Sequence, residues 1–185
     1  MEKPINETQP SFTDGKLTVD GDDLIHKEKK IRLSDVIAIK FGWKPIRLDM
    51  YRIGGRYVVE LKTLDKKIKL DFPYYFGIFK KRQEDNFEKL TDAIWDITVV
   101  RLLNTMIEDI NGGKSVRIDK CTVNVEGILY NDFLIRWEDL SYQKNYNRLT
   151  INSKSNTKVW TNLYYTEVDN VHVLMQYLEW KFEGD

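Results

Sequence analysis

The feature that most constrains the fold is an internal repeat with a spacing of 104 residues. When the chain is aligned with itself at that offset, residues 23–36 fall on residues 127–140 without a gap. Ile31, Arg32 and Asp35 recur identically as Ile135, Arg136 and Asp139. An internal match at a fixed offset is typical of a duplicated structural unit. The 185-residue chain is therefore predicted to contain two small units of one design.

Each unit is predicted to begin with short β-strands. Apolar and polar residues alternate through residues 24–41 and again in short segments of residues 116–163, as expected for half-buried strands. Gly54-Gly55 is predicted to form the tight turn of a hairpin between two such strands. Leu64-Asp65-Lys66 marks a second turn. The first 72 residues are thus predicted to form a β-meander.

Each unit is predicted to end with one amphipathic helix, because the apolar spacing changes to every third or fourth residue. The first helix is expected at about 85–111, starting at a capping box formed by Asp85 and Glu88 and stopping at Gly112-Gly113. The second is expected at about 167–182. Each helix carries one tryptophan, Trp95 in the first and Trp180 in the second.

These patterns predict a mixed α+β protein built from two tandem units, each a bent antiparallel meander or barrel closed by a C-terminal helix. Residues 1–13 are predicted to be a flexible tail, 14–98 the first unit and 114–185 the second. Residues 99–113 are the second half of the long helix, which connects the units and is expected to pack against the elements C-terminal to it. Its first half is expected to close the sheet that precedes it.

A meander of about seven strands closed by a helix with a core tryptophan resembles the pleckstrin-homology (PH) superfold. Residues 31–36 and 135–140 look like the strand that bacterial PH-like domains carry after their first hairpin. The resemblance covers residues 16–182, and it implies a seven-stranded bent sheet per unit, a plugging helix and a binding role without catalysis. The chain is thus similar to a tandem bacterial PH-like protein.

The two units differ where the lipid-binding branch of that family carries its basic residues, in and after the first hairpin. The first unit has Lys27, Lys29, Lys30 and Arg32. The second has Asn131, Asp132, Phe133, Leu134 and Arg136. The resemblance therefore implies phosphoinositide binding only for the first unit.

Charge is also concentrated in the first unit, although the whole chain has a formal net charge of zero. Residues 26–82 carry 16 basic and 6 acidic side chains. Such a concentration predicts an anionic ligand. The candidate anion-binding residues are Lys27, Lys29, Lys30 and Arg32, together with Lys66, Lys67 and Lys69. These last three, with Arg52 and Arg56, would extend the patch if the strands place them on the same face. The alternative is a solvated turn whose lysines protect a sheet edge from aggregation.

Aromatic residues 72–79 are followed directly by Lys80-Lys81-Arg82. Aromatic rings beside cations suit a membrane interface or stacked bases. The alternative is a loop whose aromatic side chains are pinned into the core before the long helix. A nucleic-acid ligand is disfavoured because the second unit and both helices are acidic.

Few residues are suited to catalysis or metal binding. Cys121 is the single cysteine, and His26 and His172 are the two histidines. Gly112-Gly113-Lys114-Ser115 follows a helix and lacks the earlier glycine of a phosphate-binding loop. The adjacent pair Glu138-Asp139 would face opposite sides of a strand and is expected to be a solvated strand end. No enzyme activity, cofactor or metal is predicted.

The sequence thus favours a non-enzymatic binding or scaffold protein whose partner is another protein, bound at exposed strand edges or in the groove between the units. The alternative is peripheral binding of anionic lipid head groups by the basic face of the first unit. Open sheet edges would also permit homo-oligomers. With no signal peptide or membrane span recognised, the expected location is the cytoplasm, with the inner face of a membrane under the lipid alternative.

Overall fold

The structure, a computed structural model, describes residues 11–15 and 17–183. Within them the fold is mixed α+β, with four antiparallel sheets and two helical segments, 80–111 and 171–183. Most of the predicted tail, residues 1–10, lies outside the described residues. The prediction of a flexible tail is wrong for residues 11–13, which belong to the first strand.

The first half contains a four-stranded sheet followed by a three-stranded sheet, each with its strands in sequence order. The first sheet consists of β1 Ser11–Asp14, β2 Leu17–Asp20, β3 Asp23–His26 and β4 Lys29–Arg32. One turn of 3₁₀ helix, Leu33–Asp35, separates the two sheets. The second sheet consists of β5 Ala38–Leu48, β6 Tyr51–Lys62 and β7 Lys67–Tyr75.

A long helical segment then leads from the first half to the second. It comprises α1 Lys80–Trp95, a π-helical segment Asp96–Val100 and α2 Arg101–Asn111. The segment ends at Gly112-Gly113 as predicted, with Gly113 in the left-handed conformation at φ 78°. Helix α1 contacts β6 and β7, whereas α2 contacts the last helix of the chain.

The second half repeats the order of elements with shorter strands. Its elements are β8 Val116–Ile118, β9 Cys121–Val123, β10 Gly127–Tyr130, β11 Phe133–Arg136, a 3₁₀ turn Trp137–Asp139, β12 Leu140–Asn145, β13 Arg148–Ser153, β14 Trp160–Tyr164 and α3 Val171–Glu183. Strands β8–β11 form one sheet and β12–β14 another.

The 104-residue offset holds in the structure around the third and fourth strands of each half. β3 and β10, β4 and β11, and the two 3₁₀ turns each begin and end 104 residues apart. The backbone hydrogen bond from Leu33 N to Asp22 O, 2.7 Å long, recurs as Trp137 N to Glu126 O, 3.3 Å long. The aligned residues therefore occupy equivalent positions in two equal series of elements.

The two halves meet along the free edge of β5. The Ile39 N–H donates to Asn170 Oδ1 (2.9 Å), and the Asn170 N–H donates to the Ile39 carbonyl (2.8 Å). Asn170 Nδ2 reaches the Ile37 carbonyl (3.2 Å), and His172 Nε2 donates to the Phe41 carbonyl (2.8 Å). The segment that leads into α3 thus satisfies alternate backbone groups of a strand edge that would otherwise lie unpaired.

An ion-pair cluster lies beside this junction. Lys40 contacts Glu60 at 3.0 Å and Asp169 at 3.5 Å, and Lys62 contacts Asp169 at 2.6 Å. Burial alone would raise the pKa of Glu60, but hydrogen bonds from Lys67 and Lys40 hold that pKa below its usual value. Together with the β5 contacts, the cluster joins the first half of the chain to the segment that leads into α3.

The prediction of a hairpin turn at Gly54-Gly55 is wrong. The turn between β5 and β6 is at Asp49-Met50, and both glycines lie buried inside β6. A Cβ atom at Gly54 would collide with the Tyr74 carbonyl oxygen, and one at Gly55 would collide with the Trp43 ring. Glycine is present here because neighbouring groups approach the backbone too closely for a side chain.

Three further expectations are corrected by the structure. The long helix begins at Lys80, so Asp85 and Glu88 lie within it and form no capping box. The aligned phrases at 31–36 and 135–140 end in 3₁₀ turns and do not continue as strands. Trp180 is 49% exposed and is no core residue, whereas Trp95 is partly buried against Phe41, with ring centroids 6.0 Å apart.

Strand β12 was not predicted, because its sequence LSYQKN is mostly polar and only Leu140 in it is buried.

We expect Gly54→Ala to lower the free energy of unfolding by about 1–3 kcal/mol, because the new methyl group overlaps the Tyr74 carbonyl. Chemical denaturation measures this. Gly77→Asn is the matched control, since Gly77 has φ 77° and no neighbour within 4 Å and asparagine tolerates that conformation. Equal losses in the two variants would contradict the packing role of Gly54.

His172 predicts a pH dependence of stability, because burial lowers its pKa from 6.5 to about 4. The unfolded chain takes up a proton first as the pH falls, so this stability is complete above about pH 6.5 and is lost toward pH 4. The full loss is about 3 kcal/mol, of which about 2 kcal/mol falls between pH 7 and pH 5. Denaturant titrations at these two pH values should show it.

His172→Phe should be less stable at pH 7 but should show a smaller change between pH 7 and pH 5. His26→Gln is the comparison variant. The pKa of His26 is also lowered, by partial burial and by the charges of Lys27 and Lys29, so this variant measures the part of the pH dependence that belongs to His26. A pH dependence that His172→Phe leaves unchanged would be evidence against this assignment.

Candidate ligand-binding surfaces

A basic groove lies between the β3–β4 hairpin and the β6–β7 turn. It is lined by Gly15, Thr18, residues 26–32, Asp35, Thr63 and residues 65–69. Three adjoining cavities of about 730, 400 and 310 Å³ form it and share lining residues. The seven predicted anion-binding residues, which come from two separate segments, all line this groove.

The groove separates the free edges of two strands, because β4 is the last strand of the first sheet and β7 the last of the second. His26 and Lys29 flank a two-residue turn and form a hydrogen-bonded pair. Hydrogen-bonded and non-hydrogen-bonded pairs alternate along an antiparallel ladder, so the backbone N–H and C=O of the next residue, Lys30, point away from β3. Lys66 Nζ approaches the Lys30 carbonyl at 3.4 Å. The same alternation of hydrogen-bonded and non-hydrogen-bonded pairs applies to β7. Thr63 N donates to Lys66 O (2.9 Å), so these two residues form a hydrogen-bonded pair. The next residue of β7, Lys67, therefore directs its backbone N–H and C=O away from β6.

The charged side chains of the groove are not equally available. Four of them are already ion-paired within the first half: Lys30 with Asp23 at 2.8 Å, Arg32 with Asp22 at 3.0 Å, Lys67 with Glu60 at 2.9 Å and Lys69 with Asp71 at 3.6 Å. Lys27 and Lys29 are exposed and form no ion pair with any residue that the structure describes. Lys66 is also exposed and, among the described residues, forms no ion pair. The charges of Lys27, Lys29 and Lys66 are thus the ones left for an anion.

The backbone of Lys27 is unusual for a lysine, because its φ is 57°, in the left-handed region. The equivalent residue of the second half, Asn131, also has positive φ (47°) and is followed by Asp132 at 65°. Asparagine and aspartate tolerate this conformation, whereas other side chains are disfavoured in it. The first half thus carries a lysine where the local fold favours asparagine.

Arg52 and Arg56 do not extend the groove. Lys62, at the groove end of β6, is ten residues from Arg52, a separation of roughly 33 Å along a strand. The Arg52 guanidinium lies over the Trp43 ring, 4.4 Å from its centroid. Arg56 pairs with Pro73 in the ladder between β6 and β7, in the half of that ladder away from the groove.

At that opposite end of the sheet, apolar side chains are exposed on two adjacent turns. We call this surface the apolar tip; it comprises Leu48, Met50, Tyr51, Tyr75, Phe76, Ile78 and Phe79. Met50 is 90% exposed and Phe76 is 77% exposed. The expectation that the loop at 72–79 is pinned into the core is therefore wrong beyond Tyr74. The sequence pattern at 48–51 was not recognised, although three apolar residues at a hairpin turn are a usable signal.

The conformation of the tip is locally unfavourable for the residues that form it. Phe76 and Phe79 have φ angles of 51° and 61°, in the left-handed region that glycine and asparagine prefer. For other side chains this region costs about 1–2 kcal/mol. Residues 80–82, Lys-Lys-Arg, then form the first turn of α1, which has no acidic residue and no side-chain cap. Cations are disfavoured at that end of a helix dipole.

The groups considered for catalysis are in structural roles. Cys121 is buried, and burial raises the pKa of its thiol to about 12. Asp139 lies in a 3₁₀ turn and not at the solvated end of a strand. Its carboxylate accepts hydrogen bonds from the Ser153 hydroxyl, the Ser155 hydroxyl and the Ser155 N–H, which lower its pKa. Among the described residues, no three His, Cys, Asp or Glu side chains are grouped to hold a metal ion.

Comparisons with known proteins assign no role to either surface. No protein-family model matches the chain, and no curated protein or solved structure matches it. Within the described ranges, neither helical segment combines the length and the apolar character that a bilayer span requires. The basic groove and the apolar tip are therefore interpreted from their own chemistry.

We expect Phe79→Asn to maintain or raise the free energy of unfolding, by up to about 1 kcal/mol, because asparagine relieves the left-handed strain. Lys81→Glu should raise it by about 0.3–1 kcal/mol through the helix dipole. Denaturant titration measures both. Trp160→Asn is the control, since Trp160 is exposed on a regular strand and should lose stability. A clear loss of stability in Phe79→Asn would show that Phe79 is needed for folding.

Proposed function

We propose that this protein is a non-catalytic binding module of two PH-like units, and that its basic groove binds an acidic, extended segment of a partner protein. The observation that carries the proposal is the convergence of Lys27, Lys29 and Lys30 with Lys66, Lys67 and Lys69 on one groove between two strand edges. Two halves with four strands, three strands and a helix each are in keeping with the PH resemblance.

The groove offers two kinds of contact to such a segment. Backbone groups of Lys30 and Lys67 are directed away from their own sheets, so an extended peptide can hydrogen-bond to either edge as an added strand. Ile31 and Ile68 line the groove with buried apolar side chains. A strand with alternating acidic and apolar residues complements this lining, with its apolar side chains toward the isoleucines and its carboxylates toward the lysines.

The difference between the two halves supports a ligand in the first. Lys27 occupies a left-handed turn position where the second half carries Asn131. A residue whose backbone conformation is unfavourable for its side chain lowers local stability. Such a residue is expected where it serves a binding role, as proposed here for Lys27 in the groove. The pKa of His26 is lowered by burial and, in addition, by the charges of Lys27 and Lys29. These two charges lie at the same end of the groove.

The proposal predicts that the full chain binds a fluorescein-labelled ten-residue peptide of alternating Glu and Val at low salt. Fluorescence anisotropy measures the affinity. Lys27→Glu/Lys29→Glu should weaken binding roughly tenfold or more, because two attractions become repulsions. Lys27→Asn, which introduces the residue of the second half, should weaken it less. The matched control is Lys120→Glu/Lys158→Glu, which changes two exposed lysines of the second half and should leave the affinity unchanged.

Two peptide controls separate this mode of binding from general charge attraction. The same peptide with alternate backbone nitrogens methylated keeps its carboxylates but cannot add to a strand edge, and it should bind much more weakly. Inositol hexakisphosphate is the second probe. If it binds the groove while the acidic peptide does not bind even at low salt, the lipid head-group alternative replaces the protein-segment proposal.

A further inference from the structure

We propose that the apolar tip is a contact surface for an anionic lipid bilayer, separate from the ligand groove. The two turns of the tip lie side by side because the Phe76 N–H donates to the Ile53 carbonyl, 2.7 Å away. This bond holds the turn at 76–79 next to the β5–β6 hairpin tip. Tyr51 and Lys62 mark the two ends of β6, so the tip lies roughly 35 Å from the basic groove.

The concentration of apolar side chains at the tip is unusual for a water-exposed surface. Seven of the fifteen exposed large apolar residues of the described chain belong to these two turns. Contiguous exposed apolar patches mark contacts with proteins or membranes. Tyrosine and phenylalanine on projecting turns suit the membrane interface, because the rings can enter the head-group layer without a preformed pocket.

The charges around the tip select an anionic bilayer over a neutral one. Residues 46–56 and 73–85 contain six basic side chains and three acidic side chains, those of Asp49, Glu84 and Asp85. The basic side chains are Arg47, Arg52, Arg56, Lys80, Lys81 and Arg82. Clusters of Lys and Arg are attracted to anionic lipid surfaces. Apolar turns with a basic rim therefore complement both the apolar interior and the negative surface of such a bilayer.

Local conformation supports a role other than folding for these side chains. Phe76 and Phe79 occupy left-handed positions and remain exposed. Lys80 and Lys81 begin a helix at the end of its dipole that disfavours cations. The two phenylalanines gain no burial, and the two lysines gain no favourable interaction with the helix dipole. Residues that violate a local conformational or electrostatic preference in this way are expected at functional sites.

Cosedimentation with vesicles tests the proposal. We expect the full-length protein to bind vesicles of phosphatidylcholine with 30% phosphatidylserine at low salt, and to bind pure phosphatidylcholine vesicles far less. Raising the salt to about 0.5 M should weaken the binding, since the attraction between exposed charges is screened. Failure of the wild-type protein to bind the anionic vesicles at low salt overturns the proposal.

Variants of the tip then locate the contact. Lys80→Glu/Lys81→Glu should reduce partitioning at least 25-fold, at about fivefold per lysine neutralised. Phe76→Asn/Phe79→Asn should reduce it roughly tenfold. Both variants are expected to be as stable as the wild type, so a loss of binding is not a loss of folding. Lys27→Glu/Lys29→Glu in the groove is the matched charge control; if it abolishes vesicle binding and the tip variants do not, the tip proposal is wrong.

A fluorescent label measures insertion directly. Phe76→Cys can be labelled selectively with an environment-sensitive dye, because Cys121 is buried. Its emission should shift to the blue with anionic vesicles. The same dye at Leu64→Cys reports on an exposed apolar residue at the groove end of the sheet and should not shift. A shift at position 64 without one at position 76 would overturn the proposal, whereas peptide binding in the groove is independent of either result.

Discussion

The arrangement of the whole molecule depends on how the edge of β5 is satisfied. An edge strand presents alternate N–H and C=O groups that water or another chain must pair. Here Asn170 and His172 pair with Ile37, Ile39 and Phe41 across the junction. The side chain of Asn170 supplies both a donor and an acceptor, so it substitutes for a strand at this edge. His172 also stacks on Phe41, with parallel rings 3.7 Å apart.

This contact explains why the two halves share one continuous core and why the remaining free edges matter. With β5 covered, β4 and β7 are the edges of the first half that border the basic groove. Pro73 lies in β7 two residues beyond Asp71, at a position whose backbone groups point away from β6, as those of Lys67 do. Proline at such a position removes a donor and limits pairing along the edge to the end near Lys67. The groove is thus restricted in length by the strand that forms it.

How much of this could be predicted from the sequence depended on whether a signal was local. The repeat, the helix stop at Gly113 and the mixed α+β class follow from spacing and from single-residue preferences. The convergence of Lys66 with Lys29 was a conditional expectation, because pairing between distant strands is not encoded in a local pattern. Gly54 was misread because a glycine needed for close approach looks the same in sequence as a glycine needed for a turn. Strand β12 was missed because it lies mostly at the surface and has little apolar alternation.

The π-helical segment at 96–100 has a consequence for how the two halves are oriented. Such a segment accommodates one residue more than a regular α-helix would over the same turn. Without that residue, α2 would be rotated by about 100° about its axis relative to α1. The apolar stripe of α2, with Met106 and Ile110 buried, would then face a different direction from the one in which α3 lies. The orientation of one half relative to the other therefore depends on the number of residues in this helix. An insertion or deletion there would change the orientation of the whole second half, whereas a substitution would change one contact.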